Sequence, residues 1–394
     1  GGGTGGTSQA AQITSSEIID GTETEIRSLS PEDLKTAIDY HSGTDDTIYT
    51  TNTDGVTPGT VNPKEVAFCI VMGQSNAAGV NGSSPSTASI TNVYTMRAGN
   101  YTFNPYLNTN SNVYSSSGSN KSNPLTEITR EWQARKNASP LTVPDLYIIS
   151  IAYSGTGFTW DMSGTNSQWD PFRRKNSVPF YTMPIAGSPS VNASLFYTAK
   201  KAIREALLQF AINGQKAYHI GTVWNQWERD GQNQDTVDRY PANLQMVRDM
   251  VDDELGLQDS DFYAWRPLHT LFPAYIDQMK HTFDQFAANN KNVKLINTET
   301  FSDYTGIAPT YGIFGNDNLH HKAAIQVKAA KFVLDNGFFA EDSQGNSTRT
   351  LRPVSLSTKD LMNITQMQPD GTIVEVSISD NETITTRDAA NQSS

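Results

Sequence analysis

Val66-Ala67-Phe68-Cys69-Ile70-Val71-Met72-Gly73-Gln74-Ser75-Asn76 is an unbroken apolar run that ends on a glycine, with a serine two residues beyond. A run of that length without polar alternation predicts a strand buried on both faces, as in a parallel sheet. Gly73 predicts a sharp turn at its end, because glycine alone reaches such backbone conformations freely. The turn delivers Ser75 to the mouth of a buried strand, which is how a nucleophile is presented. A strand-to-helix turn with no chemistry draws on the same residue types, so the string becomes specific only in company.

That company follows along the chain. Further apolar runs lie at Leu146–Ala152, His219–Trp224, Phe262–Thr270 and Val293–Asn297. Between them stand amphipathic stretches at Ala199–Ile212, with Ile203, Ala206, Leu207 and Phe210 on one face, and at Leu244–Leu255, Tyr275–Ala288 and Lys322–Asp335. Alternation of this kind predicts an α/β fold with a mainly parallel sheet. Val80 to Asn123 is so rich in Ser, Asn, Gly and Thr that it reads as a long decorated loop over the sheet edge. Residues 342–394 lose the helical pattern, and their one alternating stretch, Thr372–Ile378, predicts a small β appendage. Residues 1–60 are poor in large apolar side chains. They contain one ordered island, Ile18–Tyr40, where Ser30-Pro31-Glu32-Asp33 is a helix start and a short helix over Pro31–Tyr40 is expected; 41–63 reads as a linker. The expected division is therefore 1–60, 61–341 and 342–394.

Composition removes several classes of function. The 394 residues carry a net charge of −12 with no basic block, the reverse of the positive footprint that phosphate backbones require. Cys69 is the only cysteine, so neither a disulfide within the chain nor a zinc-thiolate cluster is expected. No stretch approaches 18 consecutive apolar residues, and the start GGGTGGTSQ lacks a basic, apolar signal pattern. G-x-S-x-G, H-E-x-x-H and P-loop strings do not occur. No metal, cofactor, nucleic acid or membrane is expected; neutral or weakly charged substrates fit better.

In an open α/β sheet, ligands bind beyond the carboxyl ends of the strands. Four polar clusters fall there: Gly73–Asn76, Ser154-Gly155-Thr156, Trp224-Asn225-Gln226-Trp227-Glu228 and Asp317–His320. A serine hydroxyl needs a base within hydrogen-bond reach, and the base needs an acid that fixes its tautomer. His320 and Asp317, spaced D-x-x-H ahead of a helix, can supply both, although His321 offers a one-residue alternative. Backbone amides at Ser75 and Gly155 and the side-chain amide of Gln226 form the expected oxyanion set. Gln74, Asn76, Trp160, Trp227 and Glu228 form the expected substrate-binding surround, with Trp160, Trp224 and Trp227 read either as core or as faces that stack on sugar rings, and Glu228 as a loop-fixing residue rather than a chemical one.

The order G-Q-S-N, A-x-S-G-T with Trp160 nearby, W-x-Q-x-E and D-x-x-H resembles the SGNH hydrolases, and among them the sialate O-acetylesterase-like carbohydrate esterases, over about residues 64–340. The resemblance implies a three-layer α/β/α flavodoxin-like fold without a metal. It also implies deacetylation of O-acetylated sugars, with Ser75 as nucleophile, His320 as base, Asp317 orienting it, and Gly155 and Gln226 in the oxyanion hole. The chain departs from the family where Trp227 replaces the glycine of W-x-Q-G-E and where Ala77 stands in place of a common methionine.

The island Gly21-Thr22-x-Thr24-x-x-Arg27-x-x-Ser30-Pro31-x-x-Leu34-x-x-Ala37-Ile38 resembles a short segment common in bacteriophage tail-fibre and tailspike proteins. This second resemblance implies a homotrimer in the virion, made in the host cytoplasm without a signal peptide and joined to other tail proteins through its N-terminus. The two together lead to the expectation of a tailspike esterase acting on acetylated bacterial surface polysaccharide. The rivals are a phage adhesin that binds glycan without turnover and a free-standing bacterial carbohydrate esterase.

Overall fold

The computed structural model describes residues 64–79, 90–96, 101–106, 114–115, 122–140, 142–158, 169, 195–268, 274–301, 320–341, 343–344, 347–348, 351–354, 364–367, 373–378 and 384–388. The expected helix over Pro31–Tyr40, the island around it, Trp160 and Asp317 lie outside the described residues.

The opening apolar run becomes β1 (Glu65–Gly73), and the other runs become β5 (Asp145–Ala152), β6 (Lys216–Asn225), β7 (Phe262–Trp265) and β8 (Val293–Ile296). All pair in parallel, in the order β5-β1-β6-β7-β8. Numbered among themselves these strands run 2-1-3-4-5, the flavodoxin-like order, whose direction of winding reverses at the first strand. The loops after β1 and β6 therefore diverge to leave a crevice at that point.

Alternate residues of β1 enter two separate cores. Val66, Phe68, Ile70 and Met72 face one, together with Ala199, Ile203, Leu207 and Phe210 of α3 (Leu195–Ile212), Leu244 and Val247 of α4 (Gln234–Leu255) and Phe283 of α5 (Ile276–Asn289). Ala67, Cys69 and Val71 face the other, with Leu125, Ile128 and Trp132 of α2 (Pro124–Ala138) and Ile325, Ala329 and Val333 of α6 (Ala323–Asp335). Helices thus cover both faces of the sheet, and each buried large side chain of the central strand is worth about 1.5–3 kcal/mol relative to exposure.

The segment from Val80 to Asn123, expected as a loop, instead supplies strands to the sheet edge. β2 (Val93–Met96) pairs in parallel with β5, β3 (Phe103–Pro105) adds an antiparallel edge, and the short β4 (Tyr114–Ser115) pairs with the end of β5. Backbone groups exposed along β5 recruit these pieces despite their polar composition. The Thr372–Ile378 alternation becomes β10 (Ile373–Ile378), the central strand of a separate antiparallel sheet with β9 (Ile364–Met367) and β11 (Ile384–Asp388).

Between β1 and β6 the register slips once: Phe68 pairs with His219, but Cys69 pairs with Gly221. The extra residue inverts the alternation of β6, so that Tyr218 and Ile220 face the α2/α6 core while Trp224, an even-numbered neighbour, faces the α3/α4 core. The direction taken by each residue at the carboxyl end of β6 depends on this bulge.

Candidate active site

β1 ends at Gly73 with φ 147°, and a Cβ there would lie 2.1 Å from the backbone oxygen of Asn225 at the end of β6. Only the missing side chain lets the two strand ends come this close. Gln74 N then donates to Asn225 O at 3.0 Å, and Gly73 O accepts from Tyr153 N at 3.2 Å and Trp169 Nε1 at 3.3 Å. The turn is thereby tied to β5 and β6 together. Ser75 opens the one-turn helix α1 (Ser75–Ala78), which ends on the left-handed Gly79 whose N–H closes onto Ser75 O. The serine is 4% exposed.

His320 and His321 lie just ahead of α6, and the structure ties them to the serine's neighbour. Asn76 Oδ1 accepts from His321 N at 2.8 Å, and Asn76 O accepts from Gln326 Nε2 of α6 at 3.2 Å. The His321 ring stacks on Trp265 with centroids 4.7 Å apart and 30° between planes, so His321 serves as a packed anchor. His320 is 8% exposed, and its charge acts on the buried Glu228. With the His321 ring taken up by Trp265, His320 stays the base candidate of the two adjacent histidines.

Glu228 follows β6 and is 4% exposed. Burial pushes its carboxyl above the ordinary glutamate value; hydrogen bonds from backbone amides and from Asn76, together with the charge of His320, oppose that shift. Its oxygens accept from Gln74 Nε2 at 2.5 Å, Asn76 Nδ2 at 2.7 Å and Trp227 N at 3.3 Å. Gln74, Asn76 and Glu228, expected around the substrate, are thus joined to each other beneath the serine.

Gln226 was expected to aim its amide at an oxyanion. Its Nε2 instead lies 2.7 Å from Asp230 Oδ2, 3.1 Å from Thr156 O and 3.4 Å from Gln74 Oε1, which occupies both of its N–H bonds. It braces the β1, β5 and β6 loops against one another, and Tyr240 Oη donates to its backbone oxygen from α4. Gly155 sits at φ 74° in an open, exposed turn, where an added Cβ would meet nothing within 4 Å.

Trp227, read as core or as a sugar-stacking face, is 3% exposed and belongs to the α3/α4/α5 core, with its ring against Gly231. Its side chain takes the place of a glycine by filling the interior, so it neither narrows a pocket nor offers a face to sugar. Sequence reasoning missed Asp230, which is buried and holds both Gln226 and Phe158 N, the latter at 3.1 Å. Its signal was an acid four residues after Gln226 in a polar run following a strand. It also missed Trp169, whose indole caps the last carbonyl of β1. Among the described residues no group of three or more His, Cys, Asp or Glu side chains could hold a metal ion, and no helix is long and apolar enough to cross a membrane.

No family model matches the chain, and no curated protein matches it. Several solved structures are similar to it over about 70% of the chain. A protein from Arabidopsis thaliana is 16% identical, over 70% of this chain and 99% of its own, with a TM-score of 0.48. NanS is 14% identical over 70% of this chain and 98% of its own, with a TM-score of 0.49. A carbohydrate esterase family 2 enzyme with a carbohydrate binding domain, from Corynascus thermopiles, is 14% identical over 71% of this chain and 68% of its own, with a TM-score of 0.35.

Proposed function

We propose that this chain is a serine carboxylic-ester hydrolase that removes O-acetyl groups from carbohydrate. One observation carries the reading: at the winding reversal of the sheet, Asn76 beside the serine holds the backbone of His321 beside His320 at 2.8 Å, so the two reactive side chains belong to one rigid unit. In this reading Ser75 Oγ attacks the acetyl carbonyl carbon while His320 takes its proton. The oxyanion formed is met by the backbone N–H groups of Ser75 and Gly155, with Gln226 holding the loops that carry them. Collapse of the intermediate expels the sugar hydroxyl, which receives the proton from His320, and water then releases acetate from the acyl-serine by the same steps in reverse. Asp317 is assigned as the acid that orients His320.

The substrate as an O-acetylated bacterial surface polysaccharide, the homotrimer and the place in a phage tail rest on the N-terminal segment around Gly21–Ile38. An O-acyl ester is the bond this site suits, being more reactive than an amide.

Acetate release from a chromogenic acetyl ester and from O-acetylated polysaccharide, by the native chain and by Ser75→Ala and His320→Ala, tests the reading. Each substitution is expected to lower kcat at least about a thousandfold with the circular dichroism spectrum unchanged. Undiminished hydrolysis by Ser75→Ala would remove the nucleophile assignment, and a native chain that releases no acetate from either substrate would remove the esterase.

A further inference from the structure

We infer that the Glu228 carboxylate is a positioning residue that sets the approach of Ser75 to His320, acting as a two-sided acceptor clamp on Gln74 and Asn76. The inference rests on the esterase reading for its functional consequence and on hydrogen-bond chemistry for its form. Glu228 emerges from β6 and takes Gln74 Nε2 on one oxygen and Asn76 Nδ2 on the other, so it holds the residues on both sides of the serine. Asn76 passes the constraint onward, because its remaining oxygen accepts from His321 N and its backbone oxygen from Gln326 of α6. Gln74 passes it the other way, through its backbone N–H to Asn225 O. The chain of contacts β6–Glu228–Asn76–His321 is thus a path that fixes the serine turn and the histidine loop relative to one another.

The chemistry explains why an acid stands there. Both partners present N–H groups, so the residue between them must accept on both oxygens. A carboxylate does so; a carboxamide of the same shape would turn one acceptor into an NH2 pointing at another NH2. A buried carboxylate is costly without partners, and here three donors and the nearby His320 supply them.

The test is a double-variant cycle. Glu228→Gln preserves volume and is expected to lower kcat on acetyl esters about 10–100-fold, as ångström-scale misplacement of reacting groups does, with KM changed less than about threefold. Asn76→Asp places a third set of lone pairs against the Glu228 carboxylate and is expected to be impaired as well. Combined, Glu228→Gln with Asn76→Asp restores complementary donors and acceptors at Gln74, residue 76 and His321 N, and kcat is expected to recover to within about fivefold of native. A Glu228→Gln kcat within about threefold of native, or a double variant no better than the worse single one, would overturn the clamp. Should the native chain release no acetate, the esterase reading falls alone: urea unfolding of the same four proteins still decides the clamp, which requires non-additive losses, whereas additive ones would refute it.

Discussion

Two glycines flank the candidate site, and the structure assigns them opposite sensitivities. At Gly73 an added methyl meets backbone on another strand, which cannot swing away, and φ 147° is a region that L side chains rarely adopt. Gly73→Ala is therefore expected to push the ends of β1 and β6 apart, costing about 1–3 kcal/mol in backbone strain alone and lowering acetyl-ester kcat at least about a hundredfold. Gly155→Ala meets open space and pays only for its left-handed backbone, about 1–2 kcal/mol. Urea unfolding and kcat measured side by side check the pair; equal losses at the two positions would contradict the close approach of the strand ends. Ser75 and His320 stand out as candidates in the chain because their neighbours, a buried run ending in glycine and a D-x-x-H string, are local patterns. The aims of Gln226, Trp227 and Glu228 do not. Each is set by how β6 leaves the sheet, and the single extra residue opposite Phe68–Cys69 inverts that exit; its one mark in the sequence is Gly221, a glycine inside the strand at φ 145°.

The elements show the same division. Long buried strands and amphipathic helices announced themselves, with ends shifted by a few residues. α4 is the instructive exception, expected from Leu244 but beginning at Gln234 on an Asn233 cap, with Pro241 inside it. An interior proline normally costs about 3 kcal/mol; burial of Val237, Tyr240 and Leu244 on either side offsets it. No sequence expectation covered α2, although Asn123 and Pro124 form a capped start and the Asn123 side chain accepts from Thr126 N at 2.9 Å. Its packing supplies a prediction. Trp132 is fully buried, donates to Pro144 O at 3.0 Å and lies 4.8 Å from the Phe338 ring, beyond the end of α6. Trp132→Ala is expected to lower the free energy of unfolding by about 3–5 kcal/mol, and the midpoint of urea unfolding measures it. A loss below about 1 kcal/mol would mean that the α2/α6 layer closes over the cavity.

At the scale of the molecule, one buried histidine is expected to make stability fall in acid. His219 lies buried in β6, 5% exposed, with its ring 3.0 Å from Thr222 Oγ1. Burial, and next the charge of Arg352, push its pKa down from 6.5 to about 3, against a backbone hydrogen bond at Gly221. Because the folded value is depressed, the unfolded chain binds the proton more readily. The neutral imidazole's contribution is therefore present above pH 6.5 and is lost as pH falls toward 3, at about 1.4 kcal/mol per pH unit. Thermal unfolding between pH 7 and 4 should show a shallower fall in Tm for His219→Gln than for the native chain; parallel curves would remove His219 as a source of acid sensitivity. Composition and periodicity sufficed for the α/β class, for the five parallel strands along the chain and for the polar clusters that follow β1, β5 and β6, because burial and backbone turns act over a few residues. The strand order across the sheet, the recruitment of β2–β4 to its edge, the bulge in β6 and the joining of Gln74, Asn76, Glu228 and His321 into one network came from the folded whole. Those contacts link residues some 150 to 250 positions apart, and pairings at that distance depend on which surfaces the packed layers bring together, a quantity no short window of sequence contains.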